Sequence, residues 1–558
     1  MSLRHFVADN AEAIGRGLEG FCALHADLVA LHRDPRYVVR AEPAVDKVAL
    51  VSGGGSGHEP LHAGFVGVGM LDAAVPGEVF ASPSALQVRA ATRAVDTGKG
   101  VLHIVKNYTG DVINFRLAAE ACRSAGVEVA TVIVDDDVPS AVRGSTPGRR
   151  GTVATVVVEK VCGAAAEAGL GLTEVQALGQ RVVDASRSVG VALSAGRSYG
   201  SGESTFDLAD DELEYGVGIH GERGTDRITR EPLDALVTRC LDTLAQDGDG
   251  LAGPQLLIVN GLGSTTPLEL TAAYGVAASQ LAERGIPVVR AMVGDLVTSL
   301  GMHGLSITLV AMDDELLGWW DATATTPSWA GAVAAPAVEP TVRTEAEAAE
   351  QAEAAVTVDP AVSAWAQGVL DTIAQWSSAL GELDRLSGDG DFGDNLATAA
   401  ERARLDDGSH PLIALSDAFA GIGGSSGPML AVWFSAMARH LGTGIDAAAV
   451  AAALSDGVEA VRELGGAEPG DRTMVDAMAP AAETAAETAA ETGDGSSVST
   501  TEVIRAAASA ARRGADRTSE LVARKGRASY LGDTVTGAPD PGAVAVALFL
   551  DAATKAFT

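Results

Sequence analysis

Residues 331–358 read GAVAAPAVEPTVRTEAEAAEQAEAAVTV, rich in Ala, Glu and Pro and without an aromatic side chain. The segment reads as a linker between two domains. Before it, β-branched runs at 45–54, 100–108, 127–137 and 254–263 each reach Gly, Asn or Asp at or next to their ends, with helical patterns between them. That alternation predicts α/β layers, with ligands at the C-terminal ends of the strands. After the linker the period changes. Ala-rich stretches such as 361–386 have helical spacing and β-branched runs are scarce, which predicts a helical domain. Within it, AAETAAETAAETGDGSS (481–497) is a four-residue repeat expected to form an exposed helix extension or loop.

Bulk properties narrow the function. The length of 558 residues allows roughly three or four folding units. Hydrophobic residues make up 47% but aromatics only 4%, which suits closely packed helices and Gly-rich loops around small ligands. A net charge of −34 repels nucleic acid and anionic membrane. It does not exclude a nucleotide, because magnesium and backbone dipoles mask charge locally. Cys22, Cys122, Cys162 and Cys240 form no Cys-x-x-Cys pair, which argues against a zinc knuckle or redox motif and for a reducing compartment. The N-terminus lacks the apolar stretch of a signal peptide, and no uncharged apolar run is long enough to span a bilayer. The expectation is a soluble, cytoplasmic protein.

Five clusters carry candidate chemistry. SGGGSGHEPLHAGF (52–65) follows a strand directly. It is not a dinucleotide fingerprint, since the sixth position from Gly53 is His58 and from Gly55 is Pro60, and it lacks the Gly-Lys-Ser/Thr of a P-loop. HEPLH (58–62) matches a zinc-protease string, but Pro60 opposes the helix that this motif needs. What remains is either a structural turn or bare N–H groups for a small polyhydroxy or phosphate ligand, with His58 as proton acceptor. In HIVKNYTGDVINF (103–115), Lys106 and Asp111 form either a buried ion pair or an Asx turn, or else part of a ligand site. In YGVGIHGERG (215–224), His220 stands between glycines, with little bulk to screen it.

The strongest cluster is LDRLSGDGDFGDN (383–395). Asp384, Asp389 and Asp391 lie where a helix breaks into glycines, and three carboxylates so close repel unless a cation sits among them. A calcium loop from Asp389 fails, because its sixth position is Asp394 and its twelfth Ala400. Magnesium carrying nucleotide phosphates fits better. GIGGSSGPM (421–429) precedes an apolar helix, so Ser425, Ser426 and nearby N–H groups suit phosphate oxygens. LGGAEPGDRTMVDAM (464–478) and GRASYLGDTVTGAPDPGA (526–543) are weaker, although Arg527 could counter a phosphate charge.

In this order and spacing, SGGGSGHEP, GMLDAAVPGEVFASPS, KNYTGD, GRRGT, GIHGE, GDGD, GGSSGP, GDRTM, GRASYLG and DPGA resemble the dihydroxyacetone kinases of the fused, ATP-dependent kind, over nearly the whole chain. The resemblance implies an α/β ketose-binding domain over 1–330, in subdomains of about 1–185 and 186–330, and a nucleotide-binding barrel of antiparallel helices over 359–558. It implies that His220 adds to the substrate carbonyl to give a hemiaminal and that His58 and Asp111 handle the hydroxyl proton. Gly55, Ser56, Gly57 and Lys106 match substrate contacts. Asp384, Asp389 and Asp391 match ligands of two Mg2+ ions bound with ATP. Phe392, Gly393, Asp394, Asn395, Ser425, Ser426, Gly465, Met474, Arg527, Asp540, Pro541 and Gly542 fall where the family lines the nucleotide. A homodimer is the implied assembly. Phe392, Asp394 and Arg223 depart from common family residues. The expected reaction is phosphorylation of dihydroxyacetone, with a kinase for a four-carbon ketose such as erythrulose, or a non-catalytic ketose sensor, as alternatives.

Overall fold

A computed structural model describes residues 6, 10–141, 148–196, 204–248, 250–334, 357–386, 390–405, 408–491, 498–525, 529 and 537–558. The chain divides into two compact units, Met1–Val342 and Arg343–Thr558.

In the first unit, helix α1 (Asn10–Leu24) precedes the hairpin of β1 (Val29–Arg33) and β2 (Arg36–Arg40). Strands β3 (Ala49–Ser56), β4 (Ala73–Val79), β5 (Val101–Lys106) and β6 (Val129–Val134) complete a six-stranded sheet of order β1-β2-β4-β3-β5-β6. The last four run parallel. Parallel strands are covered on both faces, which is why β3 and β5 are buried at every position. Helices α2 (Ala85–Val95) and α3 (Thr109–Ser124) cover one face, packing Val88, Ala91, Phe115 and Ala118 on Val51, Val75 and Val105.

The other face meets α4 (Ala154–Glu167) and α5 (Leu172–Ala185). Beyond them lies a second sheet of β7 (Ser186–Ala192), β8 (Glu212–Tyr215), β9 (Asp226–Thr229), β10 (Gln255–Gly261), β11 (Val288–Gly294), β12 (Gly304–Ala311) and β13 (Val333–Ala334). Its order is β13-β11-β10-β12-β7-β8-β9, and only the β10–β11 pairing is parallel. Helices α6 (Leu233–Ala245) and α7 (Pro267–Glu283) close its outer face, while α8 (Asp314–Asp321) joins α4 and α5 on the inner one. The unit is thus five layers deep. α4 occupies the middle layer, with every residue from Ala154 to Ala166 buried. A helix buried on all sides belongs in such a layer, although α4 also carries Glu159 and Lys160 into it.

The second unit is helical among the described residues: α9 (Pro360–Arg385), α10 (Phe392–Arg402), α11 (Pro411–Ala420), α12 (Ser426–Ala438), α13 (Ala447–Gly465), α14 (Val475–Ala490), α15 (Thr500–Arg517) and α16 (Pro541–Ala556). Start signals are explicit. Pro stands in the first turn of α9, α11 and α16, and the side chains of Asp359, His410 and Asp540 accept N–H groups of that turn. Each helix packs on the next and α16 returns to α9, closing a ring. Its core holds Phe419 stacked on Phe434 at 5.6 Å, and Trp365, whose indole donates to the Phe549 carbonyl at 2.8 Å.

The Ala-Glu repeat departs from expectation. Its first ten residues are the packed end of α14, with Ala481, Ala482 and Ala485 buried and Glu483 and Glu487 exposed. Small side chains at helical spacing let the neighbouring helix approach closely. Residues 492–497 lie outside the described residues. No described helix is long and apolar enough to cross a membrane.

Candidate functional site

The glycine-rich end of β3 shapes the first site. A Cβ on Gly54 would lie 2.3 Å from Lys106 Nζ, and one on Gly55 would lie 2.7 Å from the Phe80 backbone. Gly57 has φ +101°, a conformation that glycine supplies without strain. These absent side chains let the strand end press against Lys106 of β5 and the loop carrying Phe80. Ser56 is engaged structurally, donating to the Gly77 carbonyl at 2.7 Å.

His58 follows immediately and is buried. Its Nδ1 lies 2.8 Å from the Thr298 carbonyl, which can only accept, so Nδ1 carries the hydrogen. Nε2 is then a bare lone pair, buried and without a hydrogen-bond partner among the described residues. Burial, then the neighbouring His220 and Lys106, hold His58 well below the usual histidine range, so it is neutral.

His220 stands edge-on to His58 at 4.7 Å between ring centroids, with Tyr108 at 4.2 Å and Phe80 at 5.7 Å. Its backbone N–H donates to Glu222 Oε2 at 2.7 Å. The Glu222 carboxylate also accepts from Arg150 at 3.1 Å and from the Tyr108 hydroxyl at 3.4 Å. A Cβ on Gly218 would overlap that carboxylate, so the glycine lets the loop fold over it. Burial lowers the His220 pKa against the pull of Glu222, with Lys106, Asp111 and Arg150 close enough to contribute. Asp111 is buried in the first turn of α3 and accepts from Ser82 at 2.6 Å. The sequence-derived ketose residues Gly55, Ser56, Gly57, His58, Lys106, Asp111 and His220 therefore gather at one place. The glycines also border a mostly apolar cavity of about 510 Å³ under α1.

The two histidines of HEPLH do not share a helical face. The segment is a turn, and His62 bonds to Lys106 and Glu159 while His58 bonds to Thr298. Sequence reasoning passed over Glu159, Glu222, Tyr108 and Phe80. Glu222 was visible as the acid two residues past His220, and Glu159 as an acid inside an apolar run.

The helical unit has a cavity of about 230 Å³. Asp384 at the end of α9, Asp391 at the start of α10, and Asp540 at the start of α16 line it together with Phe392, Asn395, Ser425, Ser426, Gly465, Met474, Pro541 and Gly542. Arg472 and Lys525, not anticipated from sequence, add cations. The Asp384 carboxylate accepts the Phe392 N–H at 3.2 Å, tying the two helix ends together. Burial pushes Asp540 up to about 6, against its N-cap bond and Arg472, with Asp476 and Asp384 adding to the rise. Gly393 and Asp394 do not line this cavity. A Cβ on Gly393 would meet the Ser377 carbonyl at 2.1 Å, so its role is close helix packing, and Asp394 is exposed. Asp389 and Arg527 lie outside the described residues.

Two family models match the chain: the Dak1 domain over residues 19–328 and the DAK2 domain over 387–555. The chain is 38% identical to triokinase/FMN cyclase of Rattus norvegicus, over 98% of this chain and 97% of that one. It is 37% identical to L-erythrulose 1-kinase of Mycolicibacterium smegmatis, over 96% of each. The crystal structure of dihydroxyacetone kinase from C. freundii, in complex with AMP-PNP and Mg2+, superposes with a TM-score of 0.64 at 30% identity, covering 99% of this chain and 100% of that one. The chain belongs to the dihydroxyacetone kinase family. It is an enzyme, a phosphotransferase with an α/β unit followed by a helical one.

Proposed function

We propose that this kinase phosphorylates dihydroxyacetone to dihydroxyacetone phosphate, with ATP as donor and the ketose held covalently on His220. The observation that carries the reading is the buried, unpartnered Nε2 lone pair of His58 beside the His220 ring. A proton acceptor without a proton donor, next to a second neutral imidazole, suits a substrate with both a carbonyl and a hydroxyl.

Neutral His220 offers a lone pair to the carbonyl carbon. The C–N bond forms as the carbonyl π bond breaks, and the oxygen takes up one proton while the imidazole gives one up. Glycerol has no carbonyl and is excluded. Anchoring fixes the terminal hydroxyl for attack, an orientation effect. As its oxygen bonds to the γ-phosphorus, the hydroxyl proton passes to His58 Nε2, and the bond from phosphorus to the ADP oxygen breaks. Asp111 lies beside this path, while Ser82 occupies one of its oxygens.

The helical cavity suits ATP with Mg2+. Asp384, Asp391 and Asp540 line one cavity, and the rise of Asp540 comes first from burial and then from Asp476 and Asp384. Carboxylate oxygens are the hard donors a magnesium ion takes, although among the described residues no three of them form a metal-holding group, and a bound ion would neutralise phosphate charge. Asp384, Asp389 and Asp391 are proposed to hold two ions, and the enzyme to act as a homodimer. The erythrulose relative makes a four-carbon ketose the second reading.

Intact-protein mass spectrometry with dihydroxyacetone tests the core of the proposal. His220→Ala should lose the ketose adduct and about a thousandfold in kcat/KM. An adduct surviving in that variant overturns the assignment. A kcat/KM for either erythrulose enantiomer about tenfold above dihydroxyacetone would replace the substrate.

A further inference from the structure

Behind Lys106 stand two further buried ionisable side chains. Lys106 on β5 and Glu159 in α4 are both 0% exposed, and His62, in the loop after β3, is 5% exposed. Lys106 Nζ lies 2.6 Å from His62 Nε2, and His62 Nδ1 lies 2.7 Å from Glu159 Oε1. Ser52 settles the polarity. Its hydroxyl hydrogen goes to the Ile104 carbonyl at 2.8 Å, so at 3.0 Å from His62 Nδ1 its oxygen accepts. Nδ1 therefore bears the hydrogen, shared between Glu159 and Ser52, and Nε2 is the lone pair that receives a Lys106 N–H. A second Lys106 N–H reaches the Gly53 carbonyl at 3.2 Å. One neutral imidazole thus lies between the Lys106 amine and the Glu159 carboxyl group.

A purely structural role explains this poorly. Glu159 Oε2 is buried with no hydrogen-bond partner among the described residues, inside a helix buried along nearly its whole length. Leaving half a carboxylate unbonded in such a place is costly. A neutral amide would fill the same volume and still accept from His62. What only the carboxylate supplies is charge.

We propose that Glu159 and His62 are positioning residues for Lys106, which through the imidazole keep its ammonium charged and aimed at the ketose oxygens. This rests on the reading above in which Lys106 contacts the ketose. Burial lowers the Lys106 pKa, and Asp111 and Glu159 oppose that fall; burial also pushes Glu159 itself up to about 8, against Lys106 and Ser52, so its counter-charge acts on the alkaline limb. The other titratable groups facing the trio are His58 and His220, both lowered chiefly by burial, and Cys162, whose thiol burial raises. Asp111 alone leaves the ammonium one counter-charge instead of two.

The test is the pH profile of kcat/KM for dihydroxyacetone. Glu159→Gln keeps the size and the acceptor for His62 and removes the charge. Lys106 should then deprotonate at lower pH, so the alkaline limb moves down by at least about one unit, a tenfold loss above it. Glu159→Asp, which restores the charge, should return the limb to its original position. If Glu159→Gln does not fold, His62→Gln, which breaks the link, should give the same shift. A limb unmoved in a folded Glu159→Gln or His62→Gln variant overturns the proposal. Lys106→Met separates the two levels. If it leaves kcat/KM unchanged, the ketose-site reading itself fails. If it lowers kcat/KM while Glu159→Gln leaves the limb in place, only the positioning role fails.

Discussion

Burial lowers the pKa of four histidines in the first unit, His58, His62, His103 and His220, and hydrogen bonds then select the tautomer where a partner can only accept. His103 shows the cost in stability, because it stands apart from the site chemistry. Its Nε2 lies 2.8 Å from the Thr92 hydroxyl, which already donates to the Val88 carbonyl at 2.7 Å, so Nε2–H is the donor. Burial brings its pKa down to about 3, against about 6.5 when unfolded. Between those values the unfolded chain binds the extra proton, so stability is full above pH 6.5 and falls as pH drops toward 3. Over two pH units this amounts to about 2–3 kcal/mol. His103→Gln can still donate to Thr92 but cannot titrate. Urea unfolding at pH 4.5 and pH 6.5 should therefore differ less in this variant than in the parent, and an equal difference in both would contradict the assignment.

Among the elements, α4 is the most demanding. It packs so closely that a Cβ on Gly163 would lie 2.4 Å from the Met70 Cα and 2.5 Å from the Gly69 carbonyl oxygen. Backbone cannot yield as a side-chain tip can, so Gly163→Ala should cost about 1–3 kcal/mol. The fall would be read in thermal unfolding, and an unchanged melting temperature would mean that the layers separate more easily than their packing implies. This helix was also hard to see in the sequence. A run buried on all sides has no polar face, and periodicity cannot distinguish it from a buried strand. β3, β5, β6 and β10 were legible because each β-branched run reaches Gly, Asn or Asp at or next to its end. The edge hairpin of β1 and β2 was not, since its His and Arg residues hide the apolar pattern. The repeat in α14 was misjudged for a related reason: alanines look like filler until another helix lies against them. In the first site the glycine motifs pointed to the ketose residues. The Glu159–His62 pair, 97 residues apart, carries no local signal at all.

At the scale of the molecule, the change of period across 331–358 was the most informative part of the sequence, because a layered unit and a ring of helices obey different repeats. Charge acts on the whole as well. With a net charge of −34, the folded state repels itself, and salt screens that repulsion over about 10 Å at 0.1 M. Raising NaCl from about 0.05 to 0.5 M should therefore raise the melting temperature, and a flat or falling response would show that local ion pairs outweigh the net charge. All four cysteines, Cys22, Cys122, Cys162 and Cys240, are free and buried. In the native fold a maleimide dye finds no ready target. One cysteine engineered onto the surface of each unit would thus accept fluorophores selectively, and energy transfer between them could follow motion during turnover without first stripping the native thiols.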